Sequence, residues 1–427
     1  MSAQPFFIGP TSEGMIKAVE PWLLPDTAFH RLFNCYQFRG RIEKKYCSKQ
    51  LGRLVQNIGG VQTIMTEPVM GLCNYETTDI NKEKLIAFNT TKANIFDEGL
   101  GSFTDISYNT AGGAISWTTT VAKDDFFWCW NYWMTTASKK LLWATNYVRD
   151  DRIRYYDGTA AVPGVSGGWT TTFRPILDSI ATPTRYLDTA LLIVSMRGRL
   201  IFLNTKETEA GGPKEYHQRA RWCQIGDPLQ ADAWLDTTPG KGNYTDAPTA
   251  EAIVSCGFYK DTLVVFFERS TWQLVYTADS TAPFAWYRIN TQFGSESTYS
   301  TISFDRGLFS VGNTGILVAD SNNVERIDQK IPDQVFSFHN AAQGLKRVHG
   351  IRDFVYQFAY WTYPNASQNP TFPNRVLCYN YLEDSFSIFK DSFTCFGYYQ
   401  TITDTTWATA TYTWASATRT WDSGLNQ

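Results

Sequence analysis

The sequence predicts an all-β fold, a β-propeller of roughly six to seven blades with extended N- and C-terminal arms. Three observations carry this. Strand-length apolar runs of about five residues recur along the chain, in pairs joined by short polar turns. These units start near residues 85, 141, 191, 263, 308 and 354, at intervals of 56, 50, 72, 45 and 46 residues. No long stretch shows helical periodicity, which disfavours an α/β fold. A recurring unit of about 45–50 residues with several short strands is what a propeller blade needs. A sheet that small cannot bury its own faces, and stacking sheets around an axis covers both. A two-sheet sandwich array is the rival fold.

The elements follow in order. Residues 1–25 are rich in Pro and Gly and read as an extended arm, with Trp22, Leu23 and Leu24 as an anchor. A strand from Leu32 carries Tyr36 and Phe38 on one face and turns at Arg39-Gly40; a short helix capped at Asp26-Thr27 is the alternative. Arg39, Arg41, Lys44, Lys45, Lys49 and Arg53 face only Glu43. That cluster reads either as a docking surface for an acidic partner or nucleic acid, or as a solvated strand pair.

Hairpins then follow: Leu85–Phe88 with Ala93–Phe96, Leu141–Thr145 with Arg152–Tyr156, and Leu191–Ser195 with Leu200–Leu203. Next come Leu263–Glu268 with Thr271–Tyr276, and Leu308–Val311 with Ile316–Ala319 around Gly312-Asn313-Thr314-Gly315. Phe354–Tyr360 and Val376–Tyr381 form a sixth unit, continued by Ser385–Phe389. The longest interval contains polar loops at Gly211-Gly212-Pro213 and Pro239-Gly240-Lys241-Gly242. The expected organisation is therefore an N-terminal arm and docking segment over 1–53, a propeller over 54–400 with a long insert around 204–250, and a C-terminal segment over 401–427. That last segment repeats Trp at 407, 414 and 421.

Composition bounds the function. The chain has 427 residues, 43% hydrophobic and 15% aromatic, ample for a core. A net charge of −3 gives no global basic footprint for nucleic acid. Apolar runs fall far short of the roughly 20 residues of a membrane helix, and the N-terminus lacks a signal-peptide pattern. The eight Cys include no CxxC pair, so buried reduced thiols are expected rather than zinc or a disulfide framework.

Little points to chemistry. Gly164-Val165-Ser166-Gly167-Gly168 spells GxSxG, but no buried strand precedes it and no helix follows, so it reads as a loop. The four His show no metal-ligand spacing. The acidic pairs Asp124-Asp125, Asp150-Asp151 and Glu383-Asp384 read as turn residues rather than a glycosidase pair. Trp and Tyr are read as blade core before they are read as a sugar groove. No enzyme, cofactor or metal site is expected.

Ala28-Phe29-His30-Arg31-Leu32-Phe33-Asn34, then Gly40-Arg41-Ile42-Glu43-Lys44-Lys45 and Leu51-Gly52-Arg53-Leu54, resembles the opening of tail hub or nozzle proteins of short-tailed bacteriophages. Arg219-Ala220-Arg221-Trp222-Cys223-Gln224-Ile225-Gly226-Asp227-Pro228 is similar to a segment of the same family, as is the following order of Leu263–Glu268, Tyr276, Phe284, Arg288, Gly294 and Gly312 to Asp320. The Trp repeat resembles that of crAss-like phages, for which this chain is short. The resemblance covers residues 20–60 and 215–335, and the rest by pattern.

The resemblance implies a structural virion protein built on a propeller, made in the host bacterial cytoplasm. It implies a hexameric or dodecameric ring below the portal and adaptor. Such a ring encloses the DNA channel, retains the genome and touches viral double-stranded DNA transiently, without membrane insertion. The expected partner-interface residues are Trp22, Arg39, Arg41, Lys44, Lys45, Trp407, Trp414 and Trp421. The competing expectation is a carbohydrate-binding or glycan-degrading propeller, a receptor-binding protein or depolymerase.

Overall fold

The computed structural model describes residues 11–399 apart from 47, 49–50, 52–54, 59–60, 65–66, 77–82, 98–101, 110, 119–125, 160–167, 280, 339–346 and 369; of 55–58 and 61–64 it describes the backbone. Six antiparallel sheets follow one another in sequence as six propeller blades. Blade 1 spans Gly71–Tyr75 to Ser102–Asp105, blade 2 Trp128–Met134 to Arg154–Tyr156, and blade 3 Tyr186–Met196 to Asn243–Asp246. Blade 4 spans Ile253–Tyr259 to Phe284–Asn290, blade 5 Ile302–Phe304 to Val324–Arg326, and blade 6 His349–Asp353 to Ser385–Phe389. Every blade has four strands except blade 2, which has three among the described residues.

The paired runs read from sequence are real hairpins, but they sit at different places in the blade. In blades 1, 2, 4, 5 and 6 they are the second and third strands. In blade 3 they are the first and second. The second strands are the most continuously apolar. Thr262–Phe267 is buried from Leu263 on, because both of its faces meet a neighbouring blade. The first strands carry mixed sequences such as Trp128–Met134 and His349–Asp353, with no alternating signal.

Two expectations are corrected. The stretch around Gly211-Gly212-Pro213 is the tip of a long hairpin, Arg199–Glu209 paired with Gly212–Trp222, rather than a loop. Glu207, Arg219 and Arg221 make the strands look polar, yet these side chains pair with one another inside the sheet. Phe354, Val355 and Tyr356 form a turn ahead of the strand Phe358–Tyr363: Asp353 Oδ1 accepts the N–H groups of Val355 and Tyr356, and Gln357 takes a left-handed φ of 64°.

Blade-to-blade packing makes the core. Phe88, Trp117 and Trp169 lie with Phe127 and Leu142 between blades 1 and 2. Trp143, Phe202 and Trp234 fill the junction of blades 2 and 3, where the rings of Phe202 and Trp234 stack 4.6 Å apart. Blades 5 and 6 share Phe309, Trp361 and Tyr379. The first strands lie side by side around the axis, which brings Cys73 and Cys129 together with their Cα atoms 6.3 Å apart, joined as a disulfide. For this pair the reduced-thiol expectation fails, because residues 56 apart in sequence occupy equivalent places on adjacent blades.

Among the described residues, blades 6 and 1 contribute to separate apolar clusters at their junction. Blade 6 presents Phe358, Val376 and Phe389 to Tyr36 and Phe38 of an N-terminal hairpin, Cys35–Phe38 with Arg41–Lys44. Blade 1 presents Leu85, Ala87 and Phe103 to Tyr399. The strap after blade 6 fills the seam between them: Thr362 Oγ1 donates to the Phe393 carbonyl at 2.7 Å, and the Tyr399 ring meets Phe96 at 5.5 Å.

Candidate assembly surface

The N-terminal arm is braced along the outside of blade 6. Gly14–Met15 pairs in parallel with Ala28–Phe29, and Met15 is buried in the core of blades 5 and 6. The Lys17 N–H donates to the Lys330 carbonyl at 2.7 Å. Lys17 Nζ donates to Gln334 Oε1 at 2.6 Å, and burial, with the charge of Arg31, lowers its pKa. Further on, the Ile388 N–H donates to Leu32 at 3.0 Å and the Asn34 N–H to Ile388 at 2.9 Å. The arm thus covers the outermost strand of blade 6, whose edge would otherwise offer unpaired donors and acceptors.

Between these anchor points the chain turns outward. Pro21–Leu23 forms one short 3-10 turn that leaves Trp22 77% and Leu23 67% exposed. A tryptophan side chain offers about 150–250 Å² of burial. At about 25 cal/mol per Å², Trp22 leaves ~3–5 kcal/mol of burial unused in the single chain.

The basic cluster divides. Arg39 sits in the hairpin turn with a left-handed φ of 52°; its N–H donates to Glu383, and its guanidinium lies 5.1 Å from the Phe38 ring. Arg41 and Lys44 are exposed on the second hairpin strand. Lys45 is an internal partner: it pairs with Asp391 and lies 5.5 Å from the Phe389 ring. Lys49, Arg53, Trp407, Trp414 and Trp421 fall outside the described residues. Arg39, Arg41 and Lys44 are thus exposed cations of the hairpin, Arg41 and Lys44 on opposite faces of its second strand, while Trp22 belongs to a separate turn of the arm.

Two cavities went unseen in the sequence. One, of about 360 Å³, opens in the seam between the hairpin, blade 6 and the strap, and is lined mainly by Tyr and Phe rings. Burial and the hydrogen bond to Glu43 raise the pKa of Tyr36 in its wall, and burial does the same for Tyr360. Its lining comes from residues 36 to 396, so only the aromatic density of Phe354–Tyr363 and Phe393–Tyr399 hinted at it.

The other cavity, about 460 Å³, is lined by first strands of blades 1, 2 and 6 and by the strap, with Trp128, Trp130, Asn131 and His349 in its wall. Tyr299 lines it too: its hydroxyl donates to the Phe126 carbonyl at 2.7 Å, and its ring stacks on His349 at 5.6 Å. His349 is half-buried in the wall of this cavity. Burial accordingly pulls its pKa down to about 4.

Several of the residues weighed for chemistry have structural partners. Asp151 accepts the Thr118 N–H at 2.9 Å and Asn146 Nδ2 at 2.5 Å. Asp384 accepts the Tyr379 hydroxyl at 3.0 Å. Burial pushes the thiols of Cys223 and Cys395 up to about 12, which keeps them protonated and poorly nucleophilic. The GxSxG segment 164–167, Asp124, Asp125 and His339 lie outside the described residues. Among the described residues, no group of three or more His, Cys, Asp or Glu could hold a metal ion, and no helix is long and apolar enough to cross a membrane. Compared with known proteins, the chain matches no family model and no curated sequence.

Proposed function

We propose that this chain is a structural protein of a short-tailed phage virion, a tail hub or nozzle component that assembles as a ring with further copies of itself. The observation that carries the reading is Trp22, held 77% exposed on an arm anchored on both sides. An apolar side chain on a rigid mount favours association with a neighbouring protein surface. Arg39, Arg41 and Lys44 would face an acidic neighbour in the tail or adaptor, or the phosphates of passing DNA.

In this reading the DNA channel is the lumen of the ring. Among the described residues, Tyr299 lines the cavity beside the first strands and donates to the Phe126 carbonyl. No catalytic step is assigned. The test is immunoelectron microscopy of phage particles with antibody to the chain. Label at the tail is expected, and particles that carry none would overturn the reading.

The carbohydrate-binding alternative draws on the 460 Å³ cavity, where the indole rings of Trp128 and Trp130 accompany Asn131. A glycan-array signal lost in Trp130→Ala would favour it over the tail reading.

A further inference from the structure

The Cys73–Cys129 disulfide joins the first strands of blades 1 and 2. Two non-covalent links flank it: the Phe127 N–H donates to the Met70 carbonyl at 3.0 Å, and Asn131 Nδ2 donates to the Asn74 carbonyl at 2.7 Å. The chain between the two cysteines holds the other three strands of blade 1, Lys84–Phe88, Ala93–Asp97 and Ser102–Asp105. It holds no complete strand of another blade among the described residues. On its other side, blade 1 is held by the strap. Gly397 packs so closely that a Cβ there would lie 2.7 Å from the Leu72 Cβ. The Tyr398 hydroxyl donates to the Arg352 carbonyl at 2.7 Å and accepts the Arg352 N–H at 3.1 Å, on the first strand of blade 6.

Both cysteines line the 460 Å³ cavity, and Cys129 is only half-buried. Disulfide exchange needs access to one of the sulfurs, which a bridge sealed inside a blade core lacks. The free thiols of Cys223, Cys256, Cys378 and Cys395 differ: all are buried, and burial raises the pKa of each, so they are poor competitors in exchange.

We infer that Cys73–Cys129 is a redox lock on blade 1: oxidised, it ties blade 1 to blade 2, and reduction by a dithiol lets blade 1 open while the other blades stay folded. One thiolate of the dithiol attacks the Cys129 sulfur, the S–S bond breaks, and Cys73 leaves as a thiolate and takes up a proton. The second thiolate of the reductant then displaces Cys129, which is protonated in turn. Two electrons have passed to the cysteines, and the reductant ends as a disulfide. The effect is confined to blade 1 because the bridge restricts the unfolded chain within the loop that it closes, and that loop is blade 1. The inference concerns one chain alone and is independent of the tail reading.

The test is hydrogen exchange of the full chain followed by mass spectrometry, before and after dithiothreitol under native conditions. Alkylation of the freed thiols is expected to label Cys73 and Cys129 and to leave Cys223 and Cys256 unlabelled. Exchange in the reduced chain is expected to be about tenfold faster in peptides covering Gly71–Tyr75 and Lys84–Phe88. It should be unchanged in Thr262–Phe267 of blade 4, and oxidised glutathione should restore the original rates. Cys129→Ser should exchange like the reduced chain and ignore the reductant. A bridge that resists dithiothreitol until denaturant is added would overturn the inference, and so would equal exchange in the two redox states. Faster exchange shared by all six blades would also overturn it, because the bridge would then be a global staple.

Discussion

Glu207 offers the sharpest energetic test of blade 3. Its side chain is fully enclosed and takes four donors: Thr205 Oγ1 at 2.9 Å, Arg221 Nε at 2.9 Å, Arg221 Nη2 at 3.1 Å and Arg219 Nη1 at 3.2 Å. Arg219 has a second carboxylate, Asp246, at 2.8 Å and lies between the rings of Tyr216 and Tyr244. Arg221 is also fully enclosed, and its next acidic oxygen, on Asp236, is 3.5 Å away. Glu207→Gln keeps the volume but leaves Arg221 with an uncompensated buried charge and turns an amide N–H₂ toward its N–H groups. Removing one partner of a buried ion pair costs about 3–5 kcal/mol. With an unfolding entropy of about 2.1 cal/mol/K per residue, a chain of this length loses about 1 °C per kcal/mol, so Tm should fall by about 3–6 °C. Calorimetry measures this directly. Glu215→Gln is the control: Glu215 pairs with Lys206 at the surface, where such pairs contribute little. A Glu207→Gln variant within about 1 °C of wild type would refute the reasoning.

The other predictions follow from the same structure. The disulfide closes a loop 56 residues apart, so Cys73→Ser with Cys129→Ser should cost about 4 kcal/mol on the chain-entropy account; a Tm that is unchanged, and insensitive to reductant in wild type, would contradict the pairing. A Cβ on Gly294 would lie 2.2 Å from the Phe267 carbonyl oxygen and 2.5 Å from the Arg269 nitrogen, both backbone atoms. Gly294→Ala should therefore fail to fold or unfold far below wild type, and a Tm close to wild type by circular dichroism would disprove that packing. His349, with a folded pKa of about 4 against 6.5 unfolded, takes up its proton in the unfolded chain first. It therefore gives stability that is fully present above about pH 6.5 and is lost as pH falls toward 4, roughly 3 kcal/mol in all. His349→Phe should flatten the denaturation midpoint over that window, and an unchanged slope would count against the buried neutral ring.

The propeller was legible because the middle strands announce themselves. Leu263–Phe267 and Leu308–Val311 are continuous apolar runs with turns of clear chemistry, since a strand packed on both faces has no polar side to show. The inner strands were not legible. Trp128–Met134 and His349–Asp353 meet their own sheet, the axis and a neighbouring blade at once, and no simple period results. Blade 3 misled through Glu207, Arg219 and Arg221, whose charges read as solvent-facing and are paired inside. The candidate assembly surface was half visible. Trp22 and the basic run stood out, but that Lys45 turns inward to Asp391 depends on a contact across most of the chain's length. The seam cavity was invisible for the same reason, because it exists only once residues 36–46, 353–360 and 389–396 meet.

The measurement that tests the central claim most directly is the copy number of this chain in purified phage particles by quantitative mass spectrometry. A structural ring predicts a fixed low number, about six or twelve per particle. Absence from washed particles, or a number that varies with the preparation, would contradict it.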